Sequence, residues 1–267
     1  MSGFAAEWLA LREPADRQAR DASLLRRAAD WLTEGGGRAT VLDLGCGSGS
    51  TLAALQPLLA SASTVWRLLD DDPVLLAFAM ERAEQLGAEA ETRLADLSDV
   101  AAIPLEGVRL ATASALFDLA SRDFIEAIAE RLTAASVGLY AALNYDGSTV
   151  FSPSHPLDGI VLAGFNRHQL RPKGLGSGAS LGPAAARALA RALEARGYAV
   201  TIAESPWRLA SEDAALARAH VEGMADAVGE LDVIDAEELE AWRQMRIDSA
   251  AGGRTIVGHL DILALPD

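Results

Sequence analysis

The stretch that decides the fold covers residues 41–50 and reads VLDLGCGSGS. An apolar run at residues 39–42 leads into three glycines at alternate positions. A largely apolar pattern at residues 51–59 follows and has the periodicity of a helix. Because glycine has no Cβ, such a loop can adopt positive φ and let a ligand approach the main chain closely. The stretch predicts a strand, a glycine loop and a helix, the layout with which α/β proteins bind nucleotide-like ligands.

The spacing of the glycines discriminates between ligands. A dinucleotide site requires its third glycine at position 50, where this chain has Ser50, and the third glycine is instead Gly49. An acidic residue, Asp43, precedes the loop. The pattern resembles motif I of the class I S-adenosylmethionine (SAM)-dependent methyltransferases. On this motif alone, an NAD-dependent dehydrogenase and an ordinary tight turn of an α/β protein remain alternatives.

A second motif follows the next predicted strand, residues 64–69. That strand ends in Asp70 and Asp71, and Asp72 and Pro73 suit the N-cap and first residue of a helix. A carboxylate at the end of the second strand is what an α/β nucleoside site uses to accept ribose hydroxyls. Asp70 also corresponds to motif II of the resembled family. The two motifs together favour SAM as the cofactor much more strongly than either does alone.

The resemblance implies further contacts to SAM. A third predicted strand, residues 91–95, ends at Asp96 and Leu97, which the family uses for the adenine amino group and a ring nitrogen; Asp99 is a competitor for this role. Arg12 or Arg20 of an N-terminal helical lid would reach the ligand carboxylate, and the ammonium would meet Asp43 directly or through water. The cofactor-binding residues predicted in this way are Asp43, Gly45, Cys46, Gly47, Gly49, Asp70, Asp71, Asp96, Leu97, Ser114 and Arg20.

The resemblance extends over residues 38–263 and implies the fold class. We expect an α/β, Rossmann-like sheet of seven mostly parallel strands in the order 3-2-1-4-5-7-6, with the last strand antiparallel and helices on both faces. An N-terminal helical cap, residues 1–37, is predicted as two helices broken near Pro14. The SAM-binding domain, residues 38–267, carries a polar lid insertion at 144–182 and a helical insertion at 211–250.

The polar insertion is the predicted source of the acceptor pocket, because long irregular segments in compact domains are usually functional or disordered. A surface insertion with charged decoration is the alternative. His155 and His168 are the candidate general bases, since the pKa of histidine lies near neutrality. Arg167, Arg171 or Lys173 suits an anionic substrate. The substrate-binding residues predicted here are Asn144, Tyr145, Arg167 and Arg171.

The composition of the chain limits the kinds of partner that it is expected to bind. The formal net charge of −15 over 267 residues argues against nucleic acids and anionic membranes. The single cysteine, Cys46, allows no intrachain disulfide or multi-cysteine zinc site and suggests a reducing, cytoplasmic setting. Neither a signal peptide nor a membrane span is expected, because charged residues interrupt every apolar run. The insertion at 211–250 is expected to cover the site or to form a homodimer face, and its acidic residues also suit a solvated surface.

The sequence therefore predicts a SAM-dependent methyltransferase that acts on an O or N atom of a small molecule. A general base is needed if the acceptor is a hydroxyl or an ammonium. A protein that keeps the fold and binds SAM or a partner chain without catalysis is the principal alternative.

Overall fold

The computed structural model describes residues 6–34, 36–59 and 63–266. Residues 1–5 and 35, which belong to the predicted N-terminal helical cap, lie outside these residues. The strands are β1 Arg38–Leu44, β2 Ser63–Asp70, β3 Glu89–Leu94, β4 Val108–Ser114, β5 Gly138–Ser152, β6 Tyr198–Glu204, β7 Trp207–Leu209 and β8 Arg254–Pro266. The helices are α1 Ala6–Ala19, α2 Ala22–Thr33, α3 Ser50–Leu55, α4 Pro73–Gln85, α5 Arg122–Ala134, α6 Asp158–Gln169, α7 Ala185–Glu194, α8 Ala214–Gly229 and α9 Ala236–Ser249.

The strands form one sheet in the order β3-β2-β1-β4-β5-β8-β6, and β8 runs antiparallel to β5 and β6. This confirms the predicted mostly parallel α/β fold and its strand order. The strand that the sequence analysis counted as the seventh is β8 in the structure. The extra strand is β7, a short strand that precedes β8 in the chain and pairs with it at residues 255–257. A strand of three residues carries no readable alternation of apolar and polar side chains, so the sequence did not predict it.

The parallel strands β1, β2, β4 and β5 are buried between helices, which accounts for their nearly continuous apolar sequence. One core, on the face covered by α5 and α7, contains Phe124, Ile128 and Leu189. The core on the other face contains Leu24 and Trp66 and is covered by α2, α3 and α4. Since the parallel strands share a direction, their carboxyl ends meet at one edge of the sheet, and a site is expected there.

Helix α1 is continuous across Pro14, so the predicted helix break was wrong. A proline inside a helix costs about 3 kcal/mol, and tertiary contacts on both sides of it offset this cost here. Arg82 of α4 binds the Glu13 carboxylate with 2.6 and 2.8 Å hydrogen bonds, and Trp207 Nε1 donates to Asp16 Oδ1 at 2.8 Å. The change of direction occurs instead at Asp21, which caps the start of α2.

The predicted irregular lid at 144–182 is largely regular. Strand β5 extends to Ser152 and α6 follows, so the irregular part is residues 170–181. Two glycines within α6, Gly159 and Gly164, lower its helix propensity and conceal it in the sequence. The two helices of the insertion at 211–250 are found as α8 and α9. Among the described helices, none combines the length and apolarity needed to cross a bilayer.

The carboxylate of Asp261 joins the N-terminal helices to the centre of the sheet. It is fully buried and accepts hydrogen bonds from Asp21 N at 2.9 Å, the Tyr140 hydroxyl at 3.1 Å and Leu143 N at 2.8 Å. Each donor would be left buried and unpaired if the carboxylate were removed, at a cost of about 1–3 kcal/mol per group. Asp261 is therefore a structural carboxylate.

We expect Asp261→Ala to lower the free energy of unfolding by about 3–5 kcal/mol, because it leaves three buried donors and a cavity. Urea unfolding followed by circular dichroism measures this difference. Asp30→Ala, at an exposed position of α2, is the matched control and should change stability by less than about 0.5 kcal/mol. Equal stability of the two variants would contradict the assigned role.

Candidate active site

A cavity of about 240 Å³ opens at the carboxyl edge of the sheet. The glycine loop and the ends of β2 and β3 form one side, and α1 borders it. The residues after β4 and those at 173–175 form the other side. Eight of the eleven predicted cofactor residues line this cavity, namely Gly45, Cys46, Gly47, Asp70, Asp71, Asp96, Leu97 and Ser114.

The glycine loop leaves no room for side chains on its inner surface. Gly45 and Gly47 have φ values of +60° and +52°, which disfavour residues with a Cβ. A Cβ on Gly45 would lie 3.1 Å from Leu116 Cδ1, and one on Gly47 would lie 3.2 Å from Leu9 Cδ1. Gly49, with φ +82°, caps α3 and lies against Ala79 rather than the cavity. The loop is thus a cradle of bare backbone.

Asp70 both lines the cavity and holds the loop. Its Oδ2 accepts a hydrogen bond from Gly47 N at 2.8 Å, and its Oδ1 accepts one from Asp72 N at 3.0 Å. Burial raises the pKa of Asp70, and these backbone donors oppose that rise. Asp71, the next residue, lines the cavity and is exposed. The end of β2 therefore presents two adjacent carboxyl groups to a ligand.

Asp43 lies beneath the loop instead of on the cavity wall. Its Oδ1 accepts from Thr112 Oγ1 at 2.7 Å, and its Oδ2 is buried without a partner among the described residues. Burial raises the pKa of Asp43 to about 6, with Thr112 and Arg20 opposing. Burial, followed by the charges of Asp43 and Asp70, also raises the pKa of the Cys46 thiol well above its usual range. The thiol is therefore not a nucleophile of this site.

Asp96 and Leu97 lie beyond the end of β3, on the cavity wall. Asp96 is exposed, and its Oδ1 accepts from Ser98 N at 2.8 Å. The hydrogen bonds from the Ser98 side chain and backbone hold the pKa of Asp96 below its usual value. Leu97 is buried beside it. This pair offers a charged acceptor next to an apolar surface, an arrangement suited to the polar edge and flat face of a base.

Arg20 lies behind the cavity wall and orients the hydroxyls of Ser50 and Ser114, which are part of that wall. Its Nη2 donates to Ser50 Oγ and to Ser114 Oγ, both at 3.0 Å. The Nε and Nη1 atoms of this buried guanidinium have no partner in the part of the chain that the structure describes. The predicted cation is thus adjacent to the site, although it is not on the cavity surface.

The structure does not bring the predicted catalytic and substrate residues to the cavity. His155 Nδ1 accepts from Leu157 N at 3.2 Å near the start of α6, and His168 Nε2 lies 3.2 Å from the Glu230 carboxylate. Arg171 also pairs with Glu230, and Arg167 is exposed on α6. Arg167 and His168 lie on α6, which packs on α8, and His155 and Arg171 flank this helix; none of the four lines the cavity.

Two further predicted substrate residues lie on β5. The buried Asn144 Nδ2 donates to the backbone oxygens of Ala141 and Leu260 at 3.2 and 3.0 Å. The Tyr145 hydroxyl donates to Asn166 Oδ1 at 2.9 Å. Both residues were expected in an irregular lid, but β5 continues through them, and Asn144 Nδ2 and the Tyr145 hydroxyl bond within the fold, whereas Asn144 Oδ1 has no partner among the described residues.

On the wall opposite Asp70 and Asp71, the sequence analysis named only Arg12, as a contact of the ligand carboxylate, and Lys173, as a contact of an anionic substrate. Leu9, Arg12 and Asp16 of α1 and residues 173–175 line this part of the cavity. Arg12 Nε donates to Asp16 Oδ2 at 2.8 Å, and its guanidinium lies 5.0 Å from the ring centroid of Trp207. Ala115, directly after β4, has a φ of +50°, which is strained for a residue with a side chain. Lys173 is the only lysine in the sequence, and this was one available signal for the part of the wall that it lines.

Taken together, the fold and the cavity define a Rossmann-like α/β domain with a nucleoside-type site at the carboxyl ends of its strands. Comparison with known proteins agrees with this class. Residues 41–136, from β1 to just past α5, match a family model described as a methyltransferase domain. Among curated proteins, none matches the chain.

Several solved structures are similar in fold. The YcgJ protein of Bacillus subtilis has a TM-score of 0.51 at 12% identity, and the match covers 92% of this chain and all (100%) of that one. A SAM-dependent methyltransferase of Geobacter sulfurreducens in complex with S-adenosyl-L-homocysteine (SAH) has a TM-score of 0.49 at 16% identity, with 100% of both chains covered. Geranyl diphosphate C-methyltransferase of Streptomyces coelicolor A3(2) has a TM-score of 0.44 at 14% identity, with 90% and 80% covered. At this identity the YcgJ similarity shows the fold alone.

The matched residues 41–136, which cover less than half of the chain, resemble a methyltransferase domain, and the fold around them is of the Rossmann-like kind that the class I methyltransferases have. SAM is the cofactor of this class. The glycine loop, Asp70 and Asp96, on which the sequence-based resemblance depended, all lie within the matched residues and line one cavity.

Proposed function

We propose that this chain binds SAM in the cavity at the carboxyl edge of the sheet and transfers its methyl group to an O or N atom of a small molecule. The observation that carries the proposal is the convergence of the glycine loop, the carboxyl groups after β2 and Asp96 on one cavity. The net charge of −15 supports a small molecule over a nucleic acid as the acceptor.

Each part of the cavity then has a role toward the cofactor. Asp70 and Asp71 accept the ribose hydroxyls, and Asp96 accepts the adenine amino group, with Leu97 against the ring. The bare backbone of the glycine loop admits the methionine part, and Arg20 acts through the hydroxyls of Ser50 and Ser114. Asp43 lies behind the loop, where its charge favours the ammonium without direct exposure.

SAM supplies an electrophilic methyl group, so the reaction is an in-line displacement that needs no covalent intermediate with the protein. The task of the chain is to orient the acceptor and to exclude water, which can lower a barrier by about 7–11 kcal/mol. Leu9, Leu116, Leu119 and Leu175 line the cavity and suit the exclusion of water. A hydroxyl or ammonium acceptor also requires a group that takes its proton.

Asp118 is the candidate proton acceptor. It lies in the turn after β4 between two cavity-lining residues, Leu116 and Leu119, and its Oδ1 is buried without a partner among the described residues. Burial raises the pKa of Asp118, while the charges of Arg12 and Lys173 oppose the rise. A carboxyl group with a raised pKa is better matched to proton transfer near neutral pH than an ordinary one. His155 and His168 stay as predictions for this role; like Asp118 they are not part of the cavity lining, and neither has a lining residue close to it in the sequence.

Calorimetric titration with SAM and SAH, followed by transfer of a radiolabelled methyl group from SAM into fractionated metabolites of the host, tests the proposal. We expect both ligands to bind and label to enter a small-molecule fraction. Absence of SAM binding would overturn the proposal. Binding without transfer in any fraction would favour the non-catalytic alternative, and binding of NADH instead of SAM would favour a dehydrogenase.

A further inference from the structure

Lys173 is the only lysine in a chain with 23 lysine and arginine residues, and it lines the cavity. Apart from Asp16 of α1, which pairs with Arg12, the carboxylates of the cavity lie at or just after the ends of β2 and β3, whereas the segment that carries Lys173 is bonded to the residues between β4 and α5. Because β1 lies between β2 and β4, the ammonium and these carboxylates are on opposite sides of the glycine loop. The cavity therefore has an acidic side and a side with a cation.

The segment around Lys173 is held firmly. Ser121 N donates to Leu175 O, and Leu181 N donates to Ala120 O, both at 2.8 Å. Gly176 has a φ of +87°, and a Cβ at this position would lie 2.1 Å from Ser121 Oγ, so the close contact requires glycine. The backbone from Leu175 to Leu181 is thus fixed to residues 120 and 121 at the start of α5, and Lys173 lies two residues before the first of these contacts.

The charge of Lys173 has no direct partner in the described parts of the chain, where no carboxylate oxygen lies within ion-pair distance of it. Arg12, the other cation on this side, is already paired with Asp16 at 2.8 Å. Asp118 feels the charge of Lys173, but no ion pair joins the two side chains. One positive charge on this wall is therefore available to a ligand.

We infer that Lys173 binds a carboxylate of the methyl acceptor, and that the acceptor is a small carboxylic acid with an apolar body. The inference rests on the proposed function. The ammonium supplies the charge-assisted hydrogen bond to the carboxylate. The leucines at 9, 116, 119 and 175 line the same part of the cavity and suit the apolar body. The carboxylate of SAM itself has a separate cation in Arg20, behind Ser50 and Ser114.

The single lysine allows a direct test. Reductive methylation of the full chain with ¹³C-formaldehyde labels only Lys173 and the N-terminal amine, and the same treatment of Lys173→Arg identifies the N-terminal signal. The SAH-loaded protein is titrated at constant ionic strength with benzoate and hexanoate and, as neutral counterparts, with benzamide and hexanamide. We expect at least one acid to shift the Lys173 signal saturably and its amide to leave it unchanged.

Variants extend the test to affinity. In Lys173→Gln, we expect the acid to bind about tenfold more weakly or worse, while SAH affinity stays the same. Arg26→Gln, which removes one charge from an exposed position on α2, should change neither. No acid-specific shift, or an equal loss of SAH affinity in Lys173→Gln, would overturn the inference. Failure of the wild-type protein to bind SAH would instead refute the proposed function, so the two failures are distinguishable.

Discussion

Asp70→Ala is expected to weaken the binding of SAM and SAH by about 100-fold, because it removes a charged acceptor whose hydrogen bonds contribute about 1.5–3 kcal/mol each. The change acts in two ways. It deletes the proposed acceptor of the ribose hydroxyls, and it frees Gly47 N from its 2.8 Å hydrogen bond, which loosens the glycine loop. Isothermal titration calorimetry measures the loss.

Two further variants separate the contributions. Asp70→Asn keeps the shape of the side chain, but its single amide oxygen cannot accept from both Gly47 N and Asp72 N, so we expect an intermediate affinity. Glu81→Ala removes the same charge from an exposed position on α4 and should leave the affinity unchanged. Thermal unfolding of each variant without ligand reports any general loss of structure. Wild-type affinity in Asp70→Ala would exclude Asp70 from the cofactor site.

The second large effect expected is a loss of stability in acid that depends on two histidines. His259 of β8 and His220 of α8 lie on either side of Trp207, with ring centroids 4.9 and 6.3 Å away from the indole. Burial, with Arg12 adding to it, lowers the pKa of His220 to about 4 and that of His259 to about 3. Both side chains are therefore neutral in the folded protein at pH values where an unfolded histidine is already protonated.

The sign of the effect follows from these pKa values. An unfolded histidine takes up its proton near pH 6.5, so the histidine contribution to stability is fully present above that pH. It falls progressively as the pH drops from 6.5 toward the folded values of about 4 and about 3. Each pKa unit corresponds to about 1.4 kcal/mol, so the pair makes the folded state several kcal/mol less stable at the acid end of this range.

Urea unfolding of the wild type and of the double variant His220→Gln/His259→Gln, between pH 7 and pH 4, tests this expectation. The wild type should lose stability more steeply, because glutamine does not titrate. Asp43, with its pKa raised to about 6, has the opposite dependence, but it is present in both proteins and cancels in the difference. Parallel stability profiles would contradict the assignment of acid sensitivity to these histidines.

The cofactor side of the cavity was predictable because its residues follow strand ends within a few positions of a recognisable motif. Glycine spacing identified the loop, and Asp70 and Asp96 follow the next two strands in the chain. Sequence order and position in space coincide in such a sheet, because the carboxyl ends of parallel strands share one edge. The resemblance to the methyltransferase family implied the strand order, with β7 alone missing.

The opposite wall was not predictable in this way. Arg12 and Asp16 reach it because α1 continues through Pro14 and because Trp207, on a strand of three residues, bonds to Asp16. These are tertiary contacts between positions far apart in the chain, and no local pattern encodes them. His155 and His168 were chosen for the chemistry of imidazole, which says nothing about the direction in which a helix presents them.

The burial of Cys46 affects how readily its thiol reacts with oxidants. Only the thiolate reacts readily with peroxide or an alkylating agent, and this sulfur is both shielded and kept protonated by its surroundings. No second thiol exists in the sequence to form an internal bridge with it. The glycine loop is thereby insulated from redox chemistry, even though it carries the one sulfhydryl of the chain.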